Sequence, residues 1–449
     1  FLFKLCGRFP VTYEKKSQFH DSHRWLVFGL LSSVYFLVYF HRVSISVIAH
    51  DLLTAFQTHA TALGFMSSMY FYLYALEQPL VGYLSDRLGP RRVVGFWSLA
   101  AALGCVLFGL APSIGWAAAG RALIGLGVGG VYVPAMKALS QWFRRKEFAT
   151  MTGLLLASGN LGAIMATTPL AWMANTWGWR SSFLIIGGVT LVLAFATLLL
   201  IRDHEETVES MHKEPASAGE QAGTLKGSAP QVLTSLRFWI LAAIFFGSFG
   251  SYLTFQGLWA TPFLMTTLNL DRLHAAGLNM LVPIGFIVGA PLTGWLSDKV
   301  FHNKAHILIC ILAMTTGIWV GLTFGVHALG RGGIIPLLLF MGGATGGLGT
   351  ILWALVRETT PDPILGLTTG LLNPSPFLGA AILQVWTGTI LDHVGRVDGI
   401  YPPAAYRNAF MVCLVIIACC LILCTTLRRY LSASDGKDVA VHRPFALLS

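Results

Sequence analysis

The chain has 449 residues, 55% of them hydrophobic and only 11% charged, with a formal net charge of +10. An ordinary soluble chain is about 25% charged, so this composition, with a mean hydropathy of +0.67, excludes a soluble enzyme and indicates a polytopic membrane protein. The positive balance does not point to nucleic acid, because the cations gather in alternate loops and no basic arm with interleaved aromatics occurs.

A spanning helix needs about 20 apolar residues. Twelve segments qualify: 25–49, 61–84, 93–112, 115–140, 147–172, 180–201, 237–266, 275–296, 305–327, 332–356, 364–391 and 404–427. The expected fold is all-α and integral to the membrane. Residues 1–24 carry Lys4, Arg8, Lys15, Lys16 and Arg24 with no cleavable signal, which predicts a cytoplasmic tail and a retained first helix. An even number of spans puts both termini on one side. Of the 30 Lys and Arg, 22 fall on that side, 5 on the other and 3 inside helices, which predicts cytoplasmic termini. The short loops suggest a bacterial inner membrane. Segment 202–236 opens with Arg202-Asp203-His204-Glu205-Glu206 and is too polar to bury. It reads as a flexible cytoplasmic linker between six-helix bundles at 25–201 and 237–427, with a cytoplasmic tail at 428–449.

The halves repeat weakly. Thr152-Gly153-Leu154-Leu155 returns as Thr369-Gly370-Leu371-Leu372, and Leu161-Gly162-Ala163 as Leu378-Gly379-Ala380, both at an offset of 217. Arg180-x-x-Phe183 returns as Arg407-x-x-Phe410. The shared order predicts two related bundles. The Gly-rich runs at 125–130 and 342–349 lack the Gly-Lys-Ser/Thr ending of a phosphate loop and read as close helix packing. Cys6, Cys105, Cys310, Cys413, Cys419, Cys420 and Cys424 read as small packing residues. His41, His50 and His59 do not share a face at metal spacing.

An ionisable group inside a membrane helix needs a partner or a wet cavity. Tyr35, Tyr39 and Arg42 share one face of the first helix at i, i+4, i+7. Facing a cavity they would bind an anion; facing lipid, Arg42 would snorkel to head groups. Tyr70, Tyr74 and Glu77 share a face of the second helix. Glu77 is a candidate proton carrier there, or else a carboxylate held near the cytoplasmic turn. Tyr252, Gln256 and Trp259 repeat the spacing on the seventh helix. Asn279, Asn373 and Gln384 are either substrate contacts or interhelical hydrogen-bonding residues. Lys137 lies near the cytoplasmic end of the fourth helix, either in the cavity or snorkelling. Pro262, Pro283, Pro374 and Pro376 are places where helices would bend.

Between the second and third segments stands Gly82-Tyr83-Leu84-Ser85-Asp86-Arg87-Leu88-Gly89-Pro90-Arg91-Arg92, a basic turn with a weaker copy at Gly294-Trp295-Leu296-Ser297-Asp298-Lys299. Gly82 would allow close helix contact, and Asp86 would meet a helix N-terminus. This G-x-x-x-D-R-x-G-x-R-R pattern resembles the loop signature of the major facilitator superfamily of solute transporters. Arg121 in Arg121-Ala122-Leu123-Ile124-Gly125-Leu126-Gly127 resembles that superfamily's R-x-x-x-G-x-G motif, implying a role in helix packing or proton coupling. Residues 25–201 are most similar to the organophosphate:phosphate antiporter branch through Tyr39-Phe40-His41-Arg42, Pro134-x-x-Lys137, Gln141-Trp142-Phe143 and Gly178-Trp179-Arg180-Ser181. The resemblance implies that Arg42 helps bind the solute's anionic group. Two positions depart from the branch: Gln78 stands where a Lys is common, and no cation lies between Tyr252 and Trp259. One Arg matches a carboxylate, whereas a doubly charged phosphate ester would leave charge uncompensated.

The resemblance implies alternating access at a midplane site between the bundles. The expected substrate is a small anionic organic solute, bound by Arg42, Tyr35, Tyr39, Tyr74, Tyr252, Gln256 and Asn373. A proton gradient or solute exchange would drive the cycle, since no ATP site is visible. The other readings are phosphate-ester antiport and a transporter-like solute sensor. No enzymatic activity, cofactor, metal or nucleic-acid partner is implied, and a monomer in the lipid bilayer is expected.

Overall fold

The computed structural model describes residues 13–201, 230, 232–300 and 303–426. The expected linker and C-terminal tail therefore lie almost wholly outside the described residues. The helices are α1 (Tyr13–Ala55), α2 (Ala60–Gly109), α3 (Ile114–Gly129), α4 (Tyr132–Trp142), α5 (Phe148–Met165) and α6 (Thr168–Leu200). After the linker come α7 (Leu236–Thr254), α8 (Ala260–Leu268), α9 (Arg272–Asn279), α10 (Leu281–Lys299), α11 (Lys304–Val320) and α12 (Val326–Thr359). The last three are α13 (Asp362–Leu372), α14 (Ser375–Val394) and α15 (Pro403–Thr426). Among the described residues there is no β-strand, only an isolated bridge from Val397 to Ile400.

Among the described residues, eleven helical stretches are long and apolar enough to cross a membrane. One of them, α2, has 50 residues; at 1.5 Å per residue it is about 75 Å long, enough for two crossings. Its two parts meet at Gly89, whose φ of +78° lies in the left-handed region that favours glycine. That gives twelve spans, six before the linker and six after it. Gly178 and Gly330 make the same kind of junction inside α6 and α12. Leu76, Leu103, Val192 and Leu199 are exposed, an outward apolar surface of the kind lipid covers.

The Gly-rich runs are packing surfaces, as expected. A methyl added at Gly125 would lie 2.2 Å from the Tyr70 carbonyl oxygen, and one at Gly342 would lie 1.8 Å from that of Val282. Gly82 differs from expectation, with nothing within 4 Å of an added methyl. Three prolines sit where the helices are interrupted, because proline leaves the carbonyl four residues earlier without its donor. Pro262 follows a π-helical turn at Phe255–Trp259, Pro283 follows the α9–α10 boundary, and Pro374 separates α13 from α14.

The two bundles meet unevenly. Towards the face opposite the described ends of the chain at Tyr13 and Thr426, the second span packs backbone to backbone on the eleventh: a methyl at Gly64 would lie 2.3 Å from the Gln384 carbonyl oxygen. At mid-depth the first span crosses the seventh, where a methyl at Gly257 would lie 2.6 Å from the Arg42 carbonyl oxygen. Replacing Gly125 by Leu should destabilise the protein by about 1–3 kcal/mol through overpacking. Gly153→Leu, where nothing lies within 4 Å, should leave the melting temperature unchanged; both are read by thermal unfolding of purified protein.

Candidate functional site

The spacing of Tyr35, Tyr39 and Arg42 brings them together at the middle of the first span. The Tyr35 and Tyr39 ring centroids are 5.4 Å apart. The Arg42 guanidinium carbon lies 4.4 Å from the Tyr39 ring centroid, 5.2 Å from that of Tyr74 and 5.1 Å from that of Phe377. Arg42 is thus caged by rings from the first, second and eleventh spans, drawn from both bundles. Tyr74 and Phe377 close the cage against each other at 4.3 Å. From the fourth span, the Tyr132 ring lies tilted against Tyr35 with centroids 5.6 Å apart. A methyl at Gly159 would lie 2.9 Å from both Tyr35 and Tyr39, so the fifth span also abuts the pair.

Among the described residues Arg42 makes no ion pair, and its Nε is buried without a hydrogen-bond partner. The ring faces attract the guanidinium but leave its charge uncompensated. Lys137, the other cation considered for the cavity, is turned away: its Nζ donates to the Ser85 carbonyl at 3.0 Å and to Asp86 at 2.8 Å. Asp86 therefore meets an ammonium rather than the expected helix N-terminus. Arg121 is fully buried behind Tyr70, 4.7 Å from its ring, and donates to the His41 carbonyl at 3.1 Å. This ties the fourth span to the first.

On the second bundle, Tyr252 and Gln256 are buried. The Gln256 Nε2 has no partner, and its carbonyl accepts from Asn279 Nδ2 at 3.4 Å. Gln256 lies in the π-helical turn, a distortion frequent at functional sites. Gln384 Nε2 donates to the Leu253 carbonyl at 3.5 Å, a contact within the second bundle. Asn373 crosses between bundles, its Nδ2 donating to Gln78 Oε1 at 3.1 Å. Gln78 in turn donates to the Tyr74 and Gly129 carbonyls at 3.1 and 3.3 Å.

Glu77 points away from Arg42 into the first bundle. One carboxylate oxygen accepts from Trp97 Nε1 at 2.8 Å, and the other is buried without a partner. Gly129 makes the room, since a methyl there would lie 1.8 Å from that second oxygen.

In the basic turn, Arg91 donates to the Leu198 carbonyl at 2.7 Å, Arg87 lies 4.8 Å from the Tyr83 ring, and Arg92 is exposed. In the second-half copy Asp298 is exposed, while Lys304 pairs with Glu358. Phe377, Tyr132 and Trp97 carry no sequence signal: each is an aromatic residue in an apolar helix, and only tertiary packing brings it to the site. Gly129 belongs to the Gly-rich run at 125–130, which signals close packing but not the neighbour it meets.

The model of the Major Facilitator Superfamily matches residues 31–383. The chain belongs to this superfamily. It is 24% identical over 393 residues to a protein of Cupriavidus necator described as a probable sulfoacetate transporter, covering 84% of this chain and 89% of that one. It is 23% identical over 426 residues to the D-galactonate transporter of Escherichia coli, covering 89% and 95%. It is 23% identical over 383 residues to the hexuronate transporter of Escherichia coli, covering 83% and 88%. Among solved structures, a bacterial homolog of the human lysosomal transporter Spinster matches with a TM-score of 0.71 at 16% identity, covering 91% of this chain and 98% of that one. The D-xylose–proton symporter matches with a TM-score of 0.65 at 14% identity, covering 88% and 97%. These two establish the twelve-span fold.

Gly129→Ala should displace the Glu77 carboxylate and destabilise the protein by about 1–3 kcal/mol. The double variant Glu77→Ala, Gly129→Ala should lose less than the sum of the two single changes, a coupling measured by thermal unfolding of all four proteins.

Proposed function

We propose that this superfamily member is a secondary active transporter of a small organic anion carrying a carboxylate, bound at Arg42. The observation that carries this reading is the caged guanidinium at mid-depth, without a carboxylate partner among the described residues. A buried unpaired cation is costly, and a bound anion removes that cost. Tyr35, Tyr39 and Tyr74 supply hydroxyls around it, and Tyr252, Gln256 and Asn373 complete the site from the second bundle. The names of the relatives, which specify sulfoacetate, galactonate and hexuronate, support an organic acid. Lys137 is engaged by Asp86, which supports one carboxylate over a phosphate ester. The organophosphate:phosphate antiporter branch is the second reading, resting on the first-half motifs.

We place the protein, as a monomer, in a bacterial inner membrane with both termini cytoplasmic, supported by the 22 of 30 Lys and Arg on that side. Rocking of the bundles exposes the site to each face in turn. Glu77 is the proton carrier in this reading. Its unpartnered oxygen is free to take a proton, and its neighbour Gln78 bridges the bundles through Asn373.

The test is thermal stabilisation of purified protein by D-galactonate, D-glucuronate, sulfoacetate, inorganic phosphate and glycerol 3-phosphate, with Arg42→Ala alongside. A carboxylate present at about 100 Kd should add roughly 2.7 kcal/mol to the wild type and nothing to Arg42→Ala. Equal stabilisation of both removes Arg42 from the site, and stabilisation by glycerol 3-phosphate alone favours the second reading. Uptake of the stabilising solute into proteoliposomes separates a transporter from a sensor, which binds without moving it. Glu77→Gln should abolish accumulation driven by a pH gradient while solute exchange persists; intact proton-driven accumulation makes Glu77 structural.

A further inference from the structure

The face opposite the termini is closed by contacts of a different kind from those around Arg42. Asp392, near the end of the eleventh span, reaches across to the start of α2 in the other bundle. Its carboxylate accepts from the backbone N–H groups of Ala60 at 2.9 Å and Thr61 at 2.7 Å, and also from the Thr61 hydroxyl. The first N–H groups of a helix have no partner within the helix, and its dipole favours an anion there. The residue at the N-cap position of α2, His59, makes no side-chain cap. The cap comes instead from the opposite bundle.

The arrangement is reinforced around the carboxylate. The Tyr401 hydroxyl donates to Asp392, and Tyr401 Oη also lies 2.9 Å from the Ala60 nitrogen. Arg396 lies 4.8 Å from the Tyr401 ring and donates to the Thr58 carbonyl of the first bundle. On the same face Arg272 pairs with Asp51, and Ser46 lies 3.1 Å from Thr261, hydroxyl to hydroxyl, again between bundles. Gly388, one turn from Asp392, lets the eleventh span close on α2, because a methyl there would lie 2.5 Å from the Ala60 carbonyl oxygen. On the terminal side of Arg42, Asn373 and Gln78 join the bundles by a hydrogen bond.

We propose that Asp392 is the latch of the face opposite the termini: its carboxylate caps α2 only while that face is shut, and must release it each time the face opens. The capping bonds are charge-assisted, are made across the bundle interface, and cannot survive separation of the second and eleventh spans. They bias the protein towards closure of this face by the free energy of a cap that one conformation makes and the other lacks. When the latch releases, the α2 N–H groups and the carboxylate become accessible to water, which replaces both partners. Asp392 is a positioning residue and does not touch the solute. The proposal rests on the rocking of the two bundles, but not on Arg42 or on the identity of the solute.

The experiment reads accessibility without a solute. Ala49 is buried one helical turn beyond Ser46 on the same side of the first span, towards the latched face. Ala49→Cys is labelled with a fluorescent maleimide in purified protein, against the same protein without that cysteine. With Asp392 present, labelling should be slow. In Asp392→Ala it should be about tenfold faster, the shift expected when charge-assisted bonds made in one state alone are removed. Asp392→Asn, which keeps one carbonyl oxygen, should be intermediate. Gly64→Ala, which wedges the same interface without touching the carboxylate, should move labelling in the same direction. Unchanged labelling in an Asp392→Ala protein that is monodisperse, with an unaltered melting temperature, overturns the proposal. If Asp392→Ala does not fold, Asp392→Asn decides by the same criterion. Faster labelling accompanied by a general fall in melting temperature, with Gly64→Ala without effect, also overturns it, because the carboxylate then serves stability alone.

Discussion

A guanidinium at mid-depth in a membrane protein, with no carboxylate partner among the described residues, is the constraint around which the site is built. Burying such a charge costs free energy that rings alone do not return. The cage of Tyr39, Tyr74 and Phe377 shields Arg42 from lipid and holds it in place. It leaves the charge without a carboxylate partner among the described residues, which is the ground for the proposed anion site. Because the cage takes rings from both bundles, an anion bound at Arg42, as proposed, would be held where the bundles meet.

The rest of the interface follows from the same division. On the face opposite the termini, glycines bring the second and eleventh spans into backbone contact, and a carboxylate from one bundle caps a helix of the other. On the terminal side the bundles meet through the Tyr74–Phe377 ring pair and the Asn373–Gln78 amide bond. The two sides of Arg42 therefore differ in the kind of contact that joins the bundles. Glu77 sits next to that amide bond, in a pocket that exists because residue 129 has no side chain. In the proposed cycle, a change in the charge of Glu77 would be felt beside this contact between the bundles.

How far this was legible in the sequence depends on whether a feature is local. The twelve spans follow from the lengths of apolar runs, because the bilayer fixes the length of a crossing. The shared face of Tyr35, Tyr39 and Arg42 follows from helical periodicity. The glycine runs announced close packing and delivered it at Gly125 and Gly342. Gly82 has open space around it, because a motif position carries no information about which neighbour arrives. Lys137 and Asp86 stand 51 residues apart, and neither predicts the other. Phe377 and Tyr132 are apolar-helix aromatics until the fold turns them to Arg42 and Tyr35. Asp392 reads as an ordinary charge near a loop, since the helix start it caps lies more than 300 residues away. Long-range pairing is what a single sequence does not show.

The most direct measurement is a structure of the protein with the carboxylate that stabilises it most. The account predicts that the carboxylate lies against the Arg42 guanidinium at charge-assisted distances of about 2.7–2.9 Å, between the rings of Tyr39, Tyr74 and Phe377. A solute bound elsewhere, with Arg42 turned outward to a lipid phosphate, would contradict it.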